Sequence, residues 1–273
     1  LSFSIPVYNS SMQQEELAHL LDDLLLGEVR FFCELPSTNT SALEWLSKKP
    51  MEYSLLVAEQ QTAGHGRLQR SWHAAAGASL SFSLIVYPTP IEQAVLPLFS
   101  ALAALAVAQA LDSFQPTKAV QIKWPNDVLL DGRKCSGILC EAAWQADRLA
   151  GLVVGIGVNI GKHSLPPASD LLFPATCLQD MLDPPPERWE VLHHILRNFI
   201  GLREIFPTPL FLSQWQARLA FLHQAVTISN GDQKTEGIFS GTAPNGDLLL
   251  QQKSGRQLAF PLGDVSLRPL DSD

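Results

Sequence analysis

A chain of 273 residues with 46% apolar and 17% charged residues has enough length and apolar content for a sizeable buried core, and global disorder is excluded. Its net charge of −8 argues against a broad basic face for a nucleic-acid backbone, while leaving room for a local basic pocket. Four cysteines, Cys33, Cys135, Cys140 and Cys177, form no C-x-x-C pair, which fits reduced intracellular thiols in a chain too large to need disulfide staples.

Residues 1–9 carry neither a basic start nor a long apolar run, so no intact signal peptide is expected there. Residues 13–26 space Leu17, Leu20, Leu21, Leu24 and Leu25 as an amphipathic helix, with Gly27 as its stop. A short strand over 30–35 precedes Ser37-Thr38-Asn39-Thr40, whose hydroxyl and amide groups are suited to capping the next helix. Residues 54–58 read as a buried strand that runs into Glu59-Gln60-Gln61-Thr62 and the loop Gly64-His65-Gly66-Arg67.

The next strand alternates Leu80, Phe82, Leu84 and Val86 against Ser79, Ser81 and Ser83. Its hydroxyl face fits a polar pocket or a solvated sheet surface equally well. Residues 92–114 read as one helix. The apolar run 95–111 within it is broken by Pro97, Ser100 and Gln109 and falls short of the ~20 residues of a membrane span, so a helix buried against a sheet is expected and no membrane partner.

A strand over 119–123 ends at Lys123, and Asp131-Gly132 joins strands 128–130 and 134–143 as a hairpin. Residues 149–160 form a further strand, 161–175 a Pro-rich loop, and 188–206 and 211–220 helices. Beyond Phe221 the pattern changes to short strands over 225–229, 233–240, 248–252 and 257–260, separated by Gly-containing turns. That spacing suits a small barrel, with the domain boundary at 221–224.

Two segments carry chemistry. The Gly64 loop lets backbone N–H groups approach an anion, and Arg67 adds a guanidinium. In Lys123-Trp124-Pro125-Asn126-Asp127 the proline and the Asn-Asp pair stiffen the backbone beside a lysine, which gives a rigidly mounted cation. Neither Gly64-His65-Gly66 nor Gly155-Ile156-Gly157 completes a dinucleotide fingerprint, since Gln69 and Ile160 stand where the third glycine belongs, and no Walker loop occurs. The two segments together describe a site that holds two anions against each other.

The order Ser37-Thr38-Asn39, Glu59 to Arg67, Arg70-Ser71-Trp72, Lys123 to Asp127, Gly137-Ile138-Leu139-Cys140-Glu141, Gly155 to Ile160 and Gly263 to Arg268 resembles the biotin protein ligases over residues 30 to 270. The resemblance implies an α+β fold: a mixed sheet packed with helices, of the class II synthetase-like type, over residues 1–222, followed by a small SH3-like β-barrel over 223–273. It implies ATP-dependent activation of biotin to biotinyl-5′-AMP, then transfer to a lysine of a biotin carboxyl carrier protein, with Mg²⁺ accompanying ATP and its ligands unassigned.

By the same resemblance, Ser37, Thr38, Asn39, Gln61, Gly64, His65, Gly66, Arg67 and Lys123 contact biotin. Arg67, Trp72, Lys123, Asn126 and Asn159 meet the nucleotide, and Lys123 and Arg67 are catalytic. His65, Leu68 and Gln69 depart from the usual Arg, Arg and Gly of the family loop.

About 36 residues precede the Ser37 motif, too few for the DNA-binding domain of the family's repressors, so no nucleic-acid partner is expected. A homodimer is left open. The expected location is the cytoplasm, or an organelle matrix after removal of a targeting peptide. The rival within the superfamily is a lipoate or octanoyl ligase or transferase, and a biotin-sensing regulator is the non-catalytic alternative.

Overall fold

The computed structural model describes residues 14–73, 75–167, 169, 171–262 and 265–270. The residues 1–9 read above as no signal peptide, Gln13 and the Gly263-Asp264 pair lie outside the described residues.

A seven-stranded sheet forms the scaffold. Its strands are β1 (Val29–Leu35), β2 (Leu55–Gln61), β3 (Ser79–Val86), β4 (Val120–Lys123), β5 (Asp127–Leu130), β6 (Arg133–Gln145) and β7 (Arg148–Asn159), in the order β1-β2-β3-β7-β6-β5-β4. β1 and β2 run parallel, and every other neighbouring pair is antiparallel.

Helices α1 (Gln14–Leu20), α2 (Thr38–Leu46), α3 (Pro90–Gln93), α4 (Leu98–Asp112), α5 (Arg188–Arg203) and α6 (Pro209–Gln216) pack around it. The even positions of β3, Leu80, Phe82, Leu84 and Val86, enter the main core with the nearly all-apolar α4. The odd position Ile85 joins Ala42, Trp45, Leu46, Leu56 and Val153 in a second, smaller core beneath α2. Buried on both faces, β3 keeps its serines from water, and Ser83 meets Thr38 and Asn39 of α2.

Three expectations change. The first helix stops at Leu20, because the chain turns through Leu24 N–H to Leu21 O (3.1 Å) to enter β1, and Leu25 is left 83% exposed. The helix expected over 92–114 is two, α3 and α4: Pro97 cannot supply the N–H that would continue a helix, and it stands instead ahead of the first turn of α4. Last, α6 ends at Gln216, because residues 218–220 leave to cover the edge of β4, with Ala220 N–H on Ile122 O (2.8 Å) and Ile122 N–H on Arg218 O (2.7 Å).

The C-terminal region is an antiparallel sheet of β8 (Ala225–Asn230), β9 (Gln233–Thr242), β10 (Leu248–Gln251), β11 (Gln257–Phe260) and β12 (Val265–Pro269), ordered β11-β10-β9-β8-β12. β12 was not among the expected strands; Val265 and Leu267 alternate inward over a stretch too short to stand out. Val226, Ile228, Phe239, Leu248, Leu250, Val265 and Leu267 join the main core, and Trp124 Nε1–H donates to Gly246 O (3.1 Å). No helix among the described residues is long and apolar enough to cross a membrane.

Candidate active site

A row of small residues crosses the α2 face of the large sheet. Ala58, Ser81, Gly157, Gly137 and Asp127 are successive register partners on β2, β3, β7, β6 and β5. All but Ala58 line one cleft, together with the start of α2 and the loop after β2. The glycines are seats for side chains. A Cβ on Gly157 would lie 2.3 Å from the Trp72 indole, and one on Gly155 would lie 2.0 Å from Asn39 Oδ1.

At one end of the cleft Ser37 caps α2, its Oγ accepting from Thr40 N–H at 3.5 Å. Thr38 N–H donates to Gln61 Oε1 (2.7 Å), which ties the helix start to the end of β2. Ser83 Oγ lies 2.8 Å from Thr38 Oγ1 and 2.6 Å from Asn39 Oδ1. Asn39 Nδ2 donates to Leu139 O (3.2 Å) and Glu141 Oε2 (2.7 Å). The Asn39 amide therefore braces α2 on β6 and β3, and Asn39 lines the cleft beside Ser37, Thr38 and Gln61.

Above them runs the glycine loop, folded back on itself by Gly66 N–H to Arg70 O (2.7 Å) and Trp72 N–H to Gly64 O (2.8 Å). Gly64 is required by close approach, since a Cβ there would lie 2.8 Å from Trp72 O. Gly66 has no such constraint, its nearest neighbour being 3.7 Å from a Cβ position. Leu68 sits at the crown of the loop with φ +56°. Arg67 leaves the loop and donates to Asn126 Oδ1 (2.9 Å) and to Val265 O (3.3 Å), so a single guanidinium joins the loop, the Trp-Pro-Asn turn and β12. His65 Nε2 lies 3.7 Å from Glu141 Oε2.

The opposite end is cationic. Lys123 is 7% exposed, and its Nζ donates to Asp127 Oδ2 (3.2 Å). Lys134 Nζ reaches the other oxygen, Asp127 Oδ1, at 2.6 Å. Both ammonium groups also face rings: Lys123 stands 4.9 Å from the Phe173 centroid and Lys134 5.6 Å from that of Trp72. Burial pushes the Lys123 ammonium below its usual range, against the pull of Asp127. Burial would raise the Asp127 carboxyl, but Lys134 and Lys123 overcome it and hold the group down at about 2. One carboxylate thus organises two cations at the rim of a cleft that Arg67 also lines.

Ser37, Thr38, Asn39, Gln61, His65, Gly66, Arg67, Trp72, Lys123 and Asn126 all line this cleft. Gly64 holds the loop that covers it. Asn159 lies two residues beyond Gly157 on the same face of β7, buried, with its Nδ2 on Thr176 O (3.1 Å) and outside the cleft lining. The sequence reading missed Lys134; of the serine face it left open between a polar pocket and a solvated surface, Ser81 lines the cleft. No group of three or more His, Cys, Asp or Glu among the described residues is placed to hold a metal, and Asp127 is already faced by two ammonium groups.

Residues 31–159 match the biotin/lipoate A/B protein ligase family, and residues 221–268 match the biotin protein ligase C-terminal domain. The chain is 32% identical to the biotin–[acetyl-CoA-carboxylase] ligase of Paracoccus denitrificans, over 84% of this chain and 96% of that relative. It is 36% identical to the bifunctional ligase/repressor BirA of Bacillus subtilis over 69% of this chain, and the match spans 58% of that longer protein. The structure superposes on the biotin protein ligase from Aquifex aeolicus in complex with biotin and ATP with a TM-score of 0.75, at 28% identity, covering 89% of this chain and 99% of that one. With both domains matched, and a relative aligned along nearly its whole length, the chain belongs to the biotin protein ligase family.

Proposed function

We propose that this chain activates biotin with ATP and transfers it to a lysine of a biotin carboxyl carrier protein. The observation that carries the reading is the division of one cleft. Its α2 end offers hydroxyl and amide groups on a small-residue floor, suited to the fused-ring head of biotin. Its other end offers Lys123, Lys134 and Arg67, suited to two anions.

In the first step a biotin carboxylate oxygen attacks the α-phosphorus of ATP, the bond to the β-phosphate breaks, and pyrophosphate leaves. Both reactants are negative, so the preset cations lower the barrier by offsetting repulsion as the oxygens converge. Lys123 and Lys134 are held in place before substrate arrives, because Asp127 fixes both. In the second step a carrier lysine, as the free amine, attacks the acyl carbon; AMP departs as the amide forms. Mg²⁺ would offset the charge of the nucleotide phosphates, and no group of three or more His, Cys, Asp or Glu among the described residues is placed to hold it. Trp72 and Asn126, in the cleft lining, and Asn159, buried further along the same face of β7, are the residues assigned to the nucleotide.

The lipoate alternative is less well supported, because the C-terminal match is to the biotin ligases in particular. The test is mass spectrometry of a biotin carboxyl carrier domain incubated with the protein, ATP and either acid. Addition of one biotin to one lysine, with lipoate left unused, supports the proposal; lipoylation, or no modification by the folded protein, overturns it.

Arg67 also closes the loop over the reactive adenylate. For Arg67→Gly, which removes the ties to Asn126 and Val265, we expect biotinyl-5′-AMP to escape and label lysines of bystander proteins. The measurement is biotinylation of serum albumin added as a bystander; labelling no greater than with wild type would remove this role.

A further inference from the structure

The buried side-chain atoms without a hydrogen-bond partner, among the described residues, are Trp72 Nε1, Ser79 Oγ, Ser81 Oγ, Thr176 Oγ1 and Trp215 Nε1. Of their residues, Ser81 and Trp72 line the cleft. Ser81 is 2% exposed, and a buried hydroxyl left without a partner is costly. The same β3 face shows what a satisfied serine looks like there: Ser83, two residues on, meets both Thr38 and Asn39. Ser81 lies on the same face, beside Gly157, over which the Trp72 indole sits, and no hydrogen-bond partner meets its hydroxyl.

We propose that Ser81 is a specificity residue of the biotin site and that its hydroxyl donates to the ureido oxygen of the ligand. This rests on the functional reading above and extends it to a residue outside the recognised motifs. Thr38 N–H is committed to Gln61 and both Asn39 Nδ2 hydrogens to Leu139 and Glu141, which leaves the Ser81 hydroxyl and the Trp72 indole N–H as the buried donors of the cleft without a partner, among the described residues. A urea carbonyl, with two lone pairs, is the strong acceptor in the head of the ligand that this arrangement leaves to be met. The direction also fits. Three strand spacings, about 14 Å, separate Ser81 from Asp127 along the row. A ligand with its head at Ser81 therefore extends its carboxylate toward Lys134 and Lys123.

The test pairs Ser81→Ala with a ligand that lacks the acceptor. Equilibrium binding of biotin and of 2-iminobiotin, whose guanidinium replaces the urea carbonyl at neutral pH, is measured for wild type and for the folded variant. Loss of one neutral hydrogen bond weakens biotin about three- to tenfold, while 2-iminobiotin binds both proteins equally. Unchanged biotin affinity overturns the assignment, and so does an equal loss for both ligands, which marks a packing effect. Wild type that binds neither ligand and releases no pyrophosphate with biotin overturns the functional reading itself, a result distinct from either.

Discussion

Lys123→Ala slows biotinyl-5′-AMP formation by about 10²-fold or more, the scale of losing one preorganised group that meets developing charge. Lys123 is nearly buried, faces Asp127, and ends β4 at a turn stiffened by Pro125. Water cannot take up its position with the same charge. Lys134 keeps Asp127 paired in the variant, so the fold survives, and Lys123→Met preserves most of the lost volume as a check. The loss is confined to the first step: carrier labelling from preformed biotinyl-5′-AMP proceeds at close to the wild-type rate. Rapid-quench measurement of adenylate separates the two steps. Near-normal adenylation by the folded variant would take Lys123 out of the mechanism and leave the role to Lys134 and Arg67.

Arg203→Met produces the largest loss of stability expected from a single exchange outside the cleft. At the end of α5, Arg203 meets Glu92 through Nε (2.7 Å) and Nη2 (2.9 Å), Glu52 through Nη1 (2.6 Å), and the Tyr53 hydroxyl (3.0 Å). Its Nη2 also donates to Tyr87 O (3.1 Å), so one guanidinium gathers the loop before β2, the end of β3 and α3. The Glu92 side chain is 6% exposed. Removing the arginine strands that carboxylate, at about 3–5 kcal/mol. For a chain of this size that lowers Tm by on the order of 10 °C. Glu92→Gln added to Arg203→Met recovers part of the loss, because the remaining group is neutral and still bonds Thr89 N–H. Differential scanning calorimetry decides it; a Tm within about 2 °C of wild type would contradict the assignment.

Much of the site was legible in the order of residues because its parts are local. The Ser37 cap, the Gly64 loop and the Lys123 turn each act through backbone geometry set within a few residues. The serine face of β3 could not be resolved locally, since whether it meets water or α2 depends on a helix some forty residues earlier in the chain. Ser81 shows the same limit more sharply: its isolation becomes visible once Gly157 is placed beside it across the sheet.

Lys134 was within reach. The Asp131-Gly132 turn, with φ of +54° and +70°, fixes the hairpin register and sets Lys134 opposite Leu129, on the same side of the ribbon as Asp127. A count of side-chain parity across that turn finds the second cation. Asn39 adds something its motif position did not show: it lines the cleft, and its amide also ties α2 to β6 above Gly155.

The pairing of a vitamin's carboxylate with a nucleotide at the Lys123–Asp127–Lys134 cluster is tested most directly by exchange of labelled pyrophosphate into ATP. The account predicts exchange when biotin is present, none when biotin is omitted or replaced by lipoate, and near-complete loss with Lys123→Ala. Exchange that proceeds without biotin, or a folded protein that shows none with it, would contradict the account.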